Sequence, residues 1–176
     1  MQAVSNDNFG PLVAYLVPGG VALAAIRPYS PTLDVWFSAS PSNAPTLGAF
    51  LYLTVAAIAA GMTVSAIRWA VIDRLHALTG LKPPSLDFSR LQENLQAIVL
   101  LIEIHYRHYQ FYANMFVATG FWFLMRRAQV GTQFAPIDFA ALAAECVFFA
   151  TARDTLRKYY TRTDQVLNVR QIRSIG

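Results

Sequence analysis

Four long apolar runs, set between clusters of arginine and lysine, constrain this chain more than any other feature. They cover residues 9–26, 46–67, about 104–125 and 136–152. A helix needs about 20 apolar residues to cross a hydrocarbon core, so each run is read as one span. Composition agrees. Of 176 residues, 55% are hydrophobic and 14% charged, against roughly 25% charged in an average soluble domain. Mean hydropathy is +0.37. The fold class expected is all-α: a polytopic transmembrane helical bundle of four spans. Residues 1–152 form the span domain, with cytoplasmic helix extensions at about 68–106, and residues 153–176 a basic cytoplasmic helical tail.

The first run opens with Gly10-Pro11, a favoured helix start. Pro18, Gly19 and Gly20 are expected to break it, because proline removes a backbone donor and paired glycines loosen the helix beside it. The break is either a packing kink or a discontinuous helix lining a site. No basic residue precedes the run, which argues against a cleaved signal peptide. A linker rich in proline and serine follows at 27–45, with Trp36 expected at the membrane surface. The second helix is expected to run from 46 through His76 and to end at Gly80. Its Ala57, Gly61 and Ser65 form a small-residue stripe that admits close helix packing. Ser89 and Gln92 make a capping-box pattern that opens a third helix. That helix is expected to reach Arg127 over about 39 residues, or roughly 58 Å, so its first part stands in the cytoplasm.

Basic residues set the orientation. Eleven of the fourteen Lys and Arg fall in segment 68–107 and in the tail, on one side of a four-span layout that also holds the N-terminus. The positive-inside rule puts that side in the cytoplasm, with both termini inside. Arg68, Trp69, Arg126, Arg127 and Arg153 stand at span ends and are expected to anchor at the interface, as is Trp36. The formal net charge of +4 and a sequence pI of about 9.5 are therefore read as membrane anchoring. No nucleic-acid motif accompanies them.

Chemistry is carried by few positions. Glu103, Arg107, Gln110 and Asn114 recur every three or four residues and share one helix face. Glu103 can pair with Arg107 in the favourable order. A second stripe, His105, Tyr109, Tyr112 and Phe116, is aromatic and suits the interface. Glu145 lies within the fourth run, at a depth matching Asn114, so the two are expected to be neighbours. Polar groups in hydrocarbon should face the bundle or a wet cavity. Glu145 is either a proton or cation site or a hydrogen-bonded residue holding helices together. His105 and His108 with Glu103 allow a metal site, but the spacing is not the strong zinc pattern. Cys146 stands alone in an apolar stretch and reads as a packing residue. No catalytic residue, metal site or cofactor is assigned.

Three patches carry a resemblance: Phe9-Gly10-Pro11-Leu12-Val13-Ala14-Tyr15-Leu16-Val17-Pro18-Gly19, Arg68-Trp69-Ala70-Val71-Ile72-Asp73, and His105-Tyr106-Arg107-His108-Tyr109-Gln110-Phe111-Tyr112. Together they resemble small bacterial four-helix integral membrane proteins. The resemblance implies a bacterial inner membrane and defines no chemistry. The function expected is a non-enzymatic, homo-oligomeric membrane component: channel-like, membrane-perturbing, or an anchor for a cytosolic protein partner, of a shape suited to bacterial stress or phage defence. Its partners are the lipid bilayer, further copies and that cytosolic protein, with no nucleic acid. The alternatives are a membrane-embedded enzyme or metal protein using Glu103, His105 and His108, and a small proton-coupled transporter using Glu145 and Asn114.

Overall fold

A computed structural model describes residues 6–37 and 47–168, and the regular structure among them is all helical, with no strand. Six α-helices follow in order: α1 Asn6–Ile26, α2 Pro31–Phe37, α3 Leu47–Leu78, α4 Leu95–Leu101, α5 Arg107–Val130 and α6 Pro136–Asn168. A π-helical turn, Ile102–Tyr106, joins α4 to α5, so the helical stretch from α4 to α5 measures about 54 Å. Linker residues 38–46 and the tail positions Arg170 and Arg173 lie outside the described residues, as does Thr46 at the head of the second run. Within the expected linker the chain forms a 3₁₀ turn, Arg27–Tyr29, and then α2.

Among the described residues one helix, α3, is long and apolar enough to cross a bilayer. Its most apolar window has a mean hydropathy of 1.9. The apolar part of α1, Val13–Tyr29, is shorter. Helices α5 and α6 fall short of that standard because polar and charged side chains recur along them. In α5 these include Arg107, His108, Gln110 and Asn114; in α6 they include Asp138 and Glu145.

The expected break at Pro18, Gly19 and Gly20 is not a break. Helix α1 runs through all three positions. Two contacts explain why the helix survives. Pro18 has no N–H to offer the carbonyl of Ala14 four residues back. That carbonyl instead accepts the side-chain amide of Asn114 from α5, at 3.0 Å. Asn114 is fully buried, so a side chain from the neighbouring helix replaces the missing backbone donor. The glycine then serves packing. A Cβ on Gly19 would overlap the backbone oxygen of Ala57 and lie 2.6 Å from the backbone nitrogen of Gly61. A Cβ on Gly61 would overlap the carbonyl of Tyr15. Helices α1 and α3 therefore meet backbone to backbone along Ala57 and Gly61, as the small-residue stripe implied.

Helix α5 is the centre of the bundle and packs on α1, α3 and α6. Its buried Ala113 and Ala118 keep those contacts close. The second half of α6 folds back on α4 and the π turn, burying Leu156, Thr163 and Leu167. Helix α3 ends as expected. Gly80 adopts a φ of 90°, Leu81 N–H reaches His76 O at 2.9 Å, and Gly80 N–H reaches Ala77 O at 3.2 Å, the Schellman pattern. Ser89 does not open the third helix. It sits in a 3₁₀ turn capped by Asp87, and α4 begins at Leu95.

The contrast between Gly20 and Gly61 is testable. Gly20 has open space where a Cβ would stand, so Gly20→Ala is expected to be neutral or to stabilise by up to about 1 kcal/mol through helix propensity. Gly61→Ala must push α1 away from α3 and is expected to cost about 1–3 kcal/mol. Unfolding of the purified protein in detergent should rank them in that order.

Candidate functional site

The polar residues that matter most gather where α3, α5 and α6 meet, beyond the apolar window of α3. Tyr109 projects from α5 and is 1% exposed. Its hydroxyl donates to Asp73 Oδ1 on α3. Arg68, one turn earlier on α3, is buried with its guanidinium over the Tyr109 ring, 5.3 Å from the centroid. Its Nη1 lies 3.9 Å from Asp73 Oδ1, and Nε and Nη1 make no hydrogen bond. The aromatic stripe of His105 and Tyr109, expected at the interface, is core instead, because Tyr109 carries the contact with Asp73 inward.

His76 completes the cluster. It is fully buried, with its ring 5.2 Å from Phe149 and 6.0 Å from Tyr109. Neither ring nitrogen finds a partner. Burial first, and the nearby Arg153 charge second, hold its pKa below the usual histidine value; Asp73 opposes them. Arg153 reaches from α6 to the end of α3, giving Nη1 to Thr79 Oγ1 at 2.6 Å and Nη2 to Thr79 O at 2.9 Å. A cation there complements the helix C-terminus. Arg68 and Arg153, expected as interface anchors, also tie helices together.

The polar stripe of α5 divides among several partners. Glu103 pairs with Arg107 at 3.6 Å. The π turn Ile102–Tyr106 contains Glu103 and ends just before Arg107, so it lies within this pair. Such turns favour functional sites. Gln110 is half-buried and Asn114 is committed to Ala14. Glu145 lies on α6 against Gly120, whose Cβ, if present, would stand 3.7 Å from the carboxyl. Gly120 is about 9 Å along the helix from Asn114, so the two expected neighbours serve different contacts. Ser65, on the small-residue stripe, is half-buried, and Trp69 is 65% exposed. Trp36 stacks on Tyr52 with ring centroids 6.2 Å apart.

The three residues offered for a metal are also dispersed in role. Buried His105 accepts from Arg162 Nη1 at 2.7 Å, and His108 meets its own helix at Ile104 O, 2.6 Å away. Among the described residues no group of three or more His, Cys, Asp and Glu is placed to hold a metal. Cys146 is exposed.

Sequence reasoning missed Asp138. This carboxylate has no exposed surface and pairs with Arg126 at 2.9 Å and Arg127 at 3.6 Å. It also accepts Ala135 N–H at 2.7 Å. An acid three residues into a helix that starts with proline was the available signal. Arg127 further donates to Gln133 O at 2.7 Å and lies over the Phe134 ring. Both arginines, expected as anchors, also close the α5–α6 turn.

The chemistry open to the Arg68–Asp73–His76–Tyr109 cluster is conformational. It ties α3 to α5, and one of its members, His76, has a lowered pKa. His76 resists protonation when folded and accepts it at ordinary pH when unfolded. Its contribution is therefore whole above about pH 6.5 and is lost as pH falls below that value toward the lowered folded pKa. Thermal melts of the wild type should lose stability between pH 7 and 5 more steeply than His76→Phe, which keeps the ring contacts without the titration. Parallel slopes would assign the effect elsewhere. Compared with protein families, with curated proteins and with solved structures, the chain finds no match in any of the three.

Proposed function

We propose that this chain is a four-span, non-enzymatic component of a bacterial inner membrane, with both termini in the cytoplasm, serving as an oligomeric anchor for a cytosolic partner. One observation carries the reading: only 17% of the most apolar window of α3 is buried inside the fold. Its outward face presents Phe50, Val55, Met62 and Ile67. Exposed apolar surface costs about 25 cal/mol per Å² in water, so lipid or another copy of the chain has to cover it. In this reading α1, α5 and α6 cross beside α3, with their polar side chains turned into the bundle or toward its ends.

The anchor role rests on the other half of the molecule. Beyond the apolar windows, the helix ends are tied by Arg153 to Thr79, Arg162 to His105, and Asn168 to Ser85 O at 2.7 Å. These ties give a firm cytoplasmic face on which Arg157 and Lys158 are exposed. Channel-like or membrane-perturbing activity would use the same spans and is the competing role.

Fractionation and labelling test the placement. The protein should stay in the pellet through alkaline carbonate and leave it with detergent. In a Cys146→Ser background, cysteines at the termini should react only after permeabilisation, and one at Gly131 should react from outside. A chain monodisperse in plain buffer, or termini on opposite faces, would refute it.

A further inference from the structure

Between α1, α3 and α5, with α6 contributing a single residue, lies a groove of about 600 Å³. That volume is in the range of small-molecule sites, which span about 300–1,000 Å³. The walls are apolar, formed by residues such as Ala22, Ile26, Val64 and Ile67, with Phe116 and Phe121 from α5. The one residue supplied by α6 is Glu145. Its Oε1 is buried and has no hydrogen-bond partner. The carboxyl rests beside Gly120, 3.7 Å from the position a Cβ would take, an ordinary van der Waals distance. Thr63 is the other polar side chain of the lining, and its hydroxyl is engaged by Ala59 O at 3.1 Å. No Arg, Lys or His lines the groove among the described residues.

A carboxyl in an apolar wall without an internal cation ionises readily only when a cation from outside meets its charge. The occupant that satisfies every wall at once has an apolar body and one positive charge. The body is solvated by the aliphatic lining. The charge meets Glu145, and the Phe116 and Phe121 rings belong to the apolar lining around it. An acyl chain would leave Glu145 unmet, and an anion would be repelled by it. We propose that this groove is a binding site for a lipophilic monocation, with Glu145 as its counter-charge. The site is separate from the anchoring role, because neither the cytoplasmic ties nor the orientation of the spans enters the argument.

The probe is tetraphenylphosphonium, titrated into the purified full-length protein in a non-ionic detergent and followed by equilibrium dialysis. Saturable binding is expected, weakened about tenfold or more in Glu145→Gln. Leu124→Trp enlarges an exposed lining residue without touching the carboxyl and should also weaken it. That variant decides the matter if Glu145→Gln elutes as a misfolded species. Tetraphenylborate, of matching shape and opposite charge, should show no saturable binding. Equal binding of the two ions would mean a merely greasy groove fit for an acyl chain and would overturn the proposal. Unchanged affinity in both variants would do the same. So would a wild-type protein that binds no phosphonium while cysteines placed at Ile67 cross-link between copies, since a second chain would then occupy the groove.

Discussion

The bundle depends on one backbone oxygen. Pro18 deprives the carbonyl of Ala14 of its helical partner, and in a dry interior an unmet carbonyl costs about 1–3 kcal/mol. Asn114 of α5 supplies the donor. The repair fixes the register of α1 on α5. Immediately after Pro18, Gly19 meets α3 at Ala57 and Gly61, bringing α1 and α3 into backbone contact. Proline and glycine, which would weaken an isolated helix, here hold three helices at one level. The arrangement suits a low-dielectric solvent, where close packing and internal hydrogen bonds replace the hydrophobic drive between helices.

The molecule divides into two kinds of packing. Its apolar half is held by small residues, Ala22, Ala57, Ala113 and Ala118 among them, and leaves large side chains facing outward. Its polar half is held by discrete charged contacts. Arg153 caps α3, Arg162 meets His105, and Tyr109 ties Asp73 while lying under Arg68. At the opposite end, Asp138 takes both Arg126 and Arg127. Side chains of α6 therefore meet partners on α3, α5 and the connecting turn along most of the helix. The groove that holds Glu145 opens between these two regimes, where the small-residue packing stops.

How far the sequence could be read follows from the range of each signal. The helical class, the end of α3 at Gly80 and the close-packing role of Ala57 and Gly61 all rest on local spacing, and local spacing was enough. So was the Glu103–Arg107 pair, one helical turn apart. Pro18 was misjudged because its rescue comes from a residue a hundred positions away. Nor were the contacts that Arg68, Arg126, Arg127 and Arg153 make inside the fold foreseen. An arginine at the end of an apolar run looks the same whether it reaches lipid headgroups or a buried acceptor on another helix. Asn114 and Glu145 were rightly singled out as polar groups in apolar runs. Their surroundings were not legible: Asn114 meets a carbonyl that Pro18 leaves free on another helix, and Glu145 faces Gly120, about 9 Å further along α5 than matched depths implied.

A double-mutant cycle on Pro18 and Asn114 tests the central claim most directly. Unfolding free energies in detergent would be compared for the wild type, Pro18→Ala, Asn114→Ala and the double variant. Alanine at 18 restores the N–H that Ala14 lacks, so loss of Asn114 should cost about 1–2 kcal/mol less in that background than alone. Additive effects, with no coupling between the two positions, would show that the asparagine does not replace the missing backbone bond.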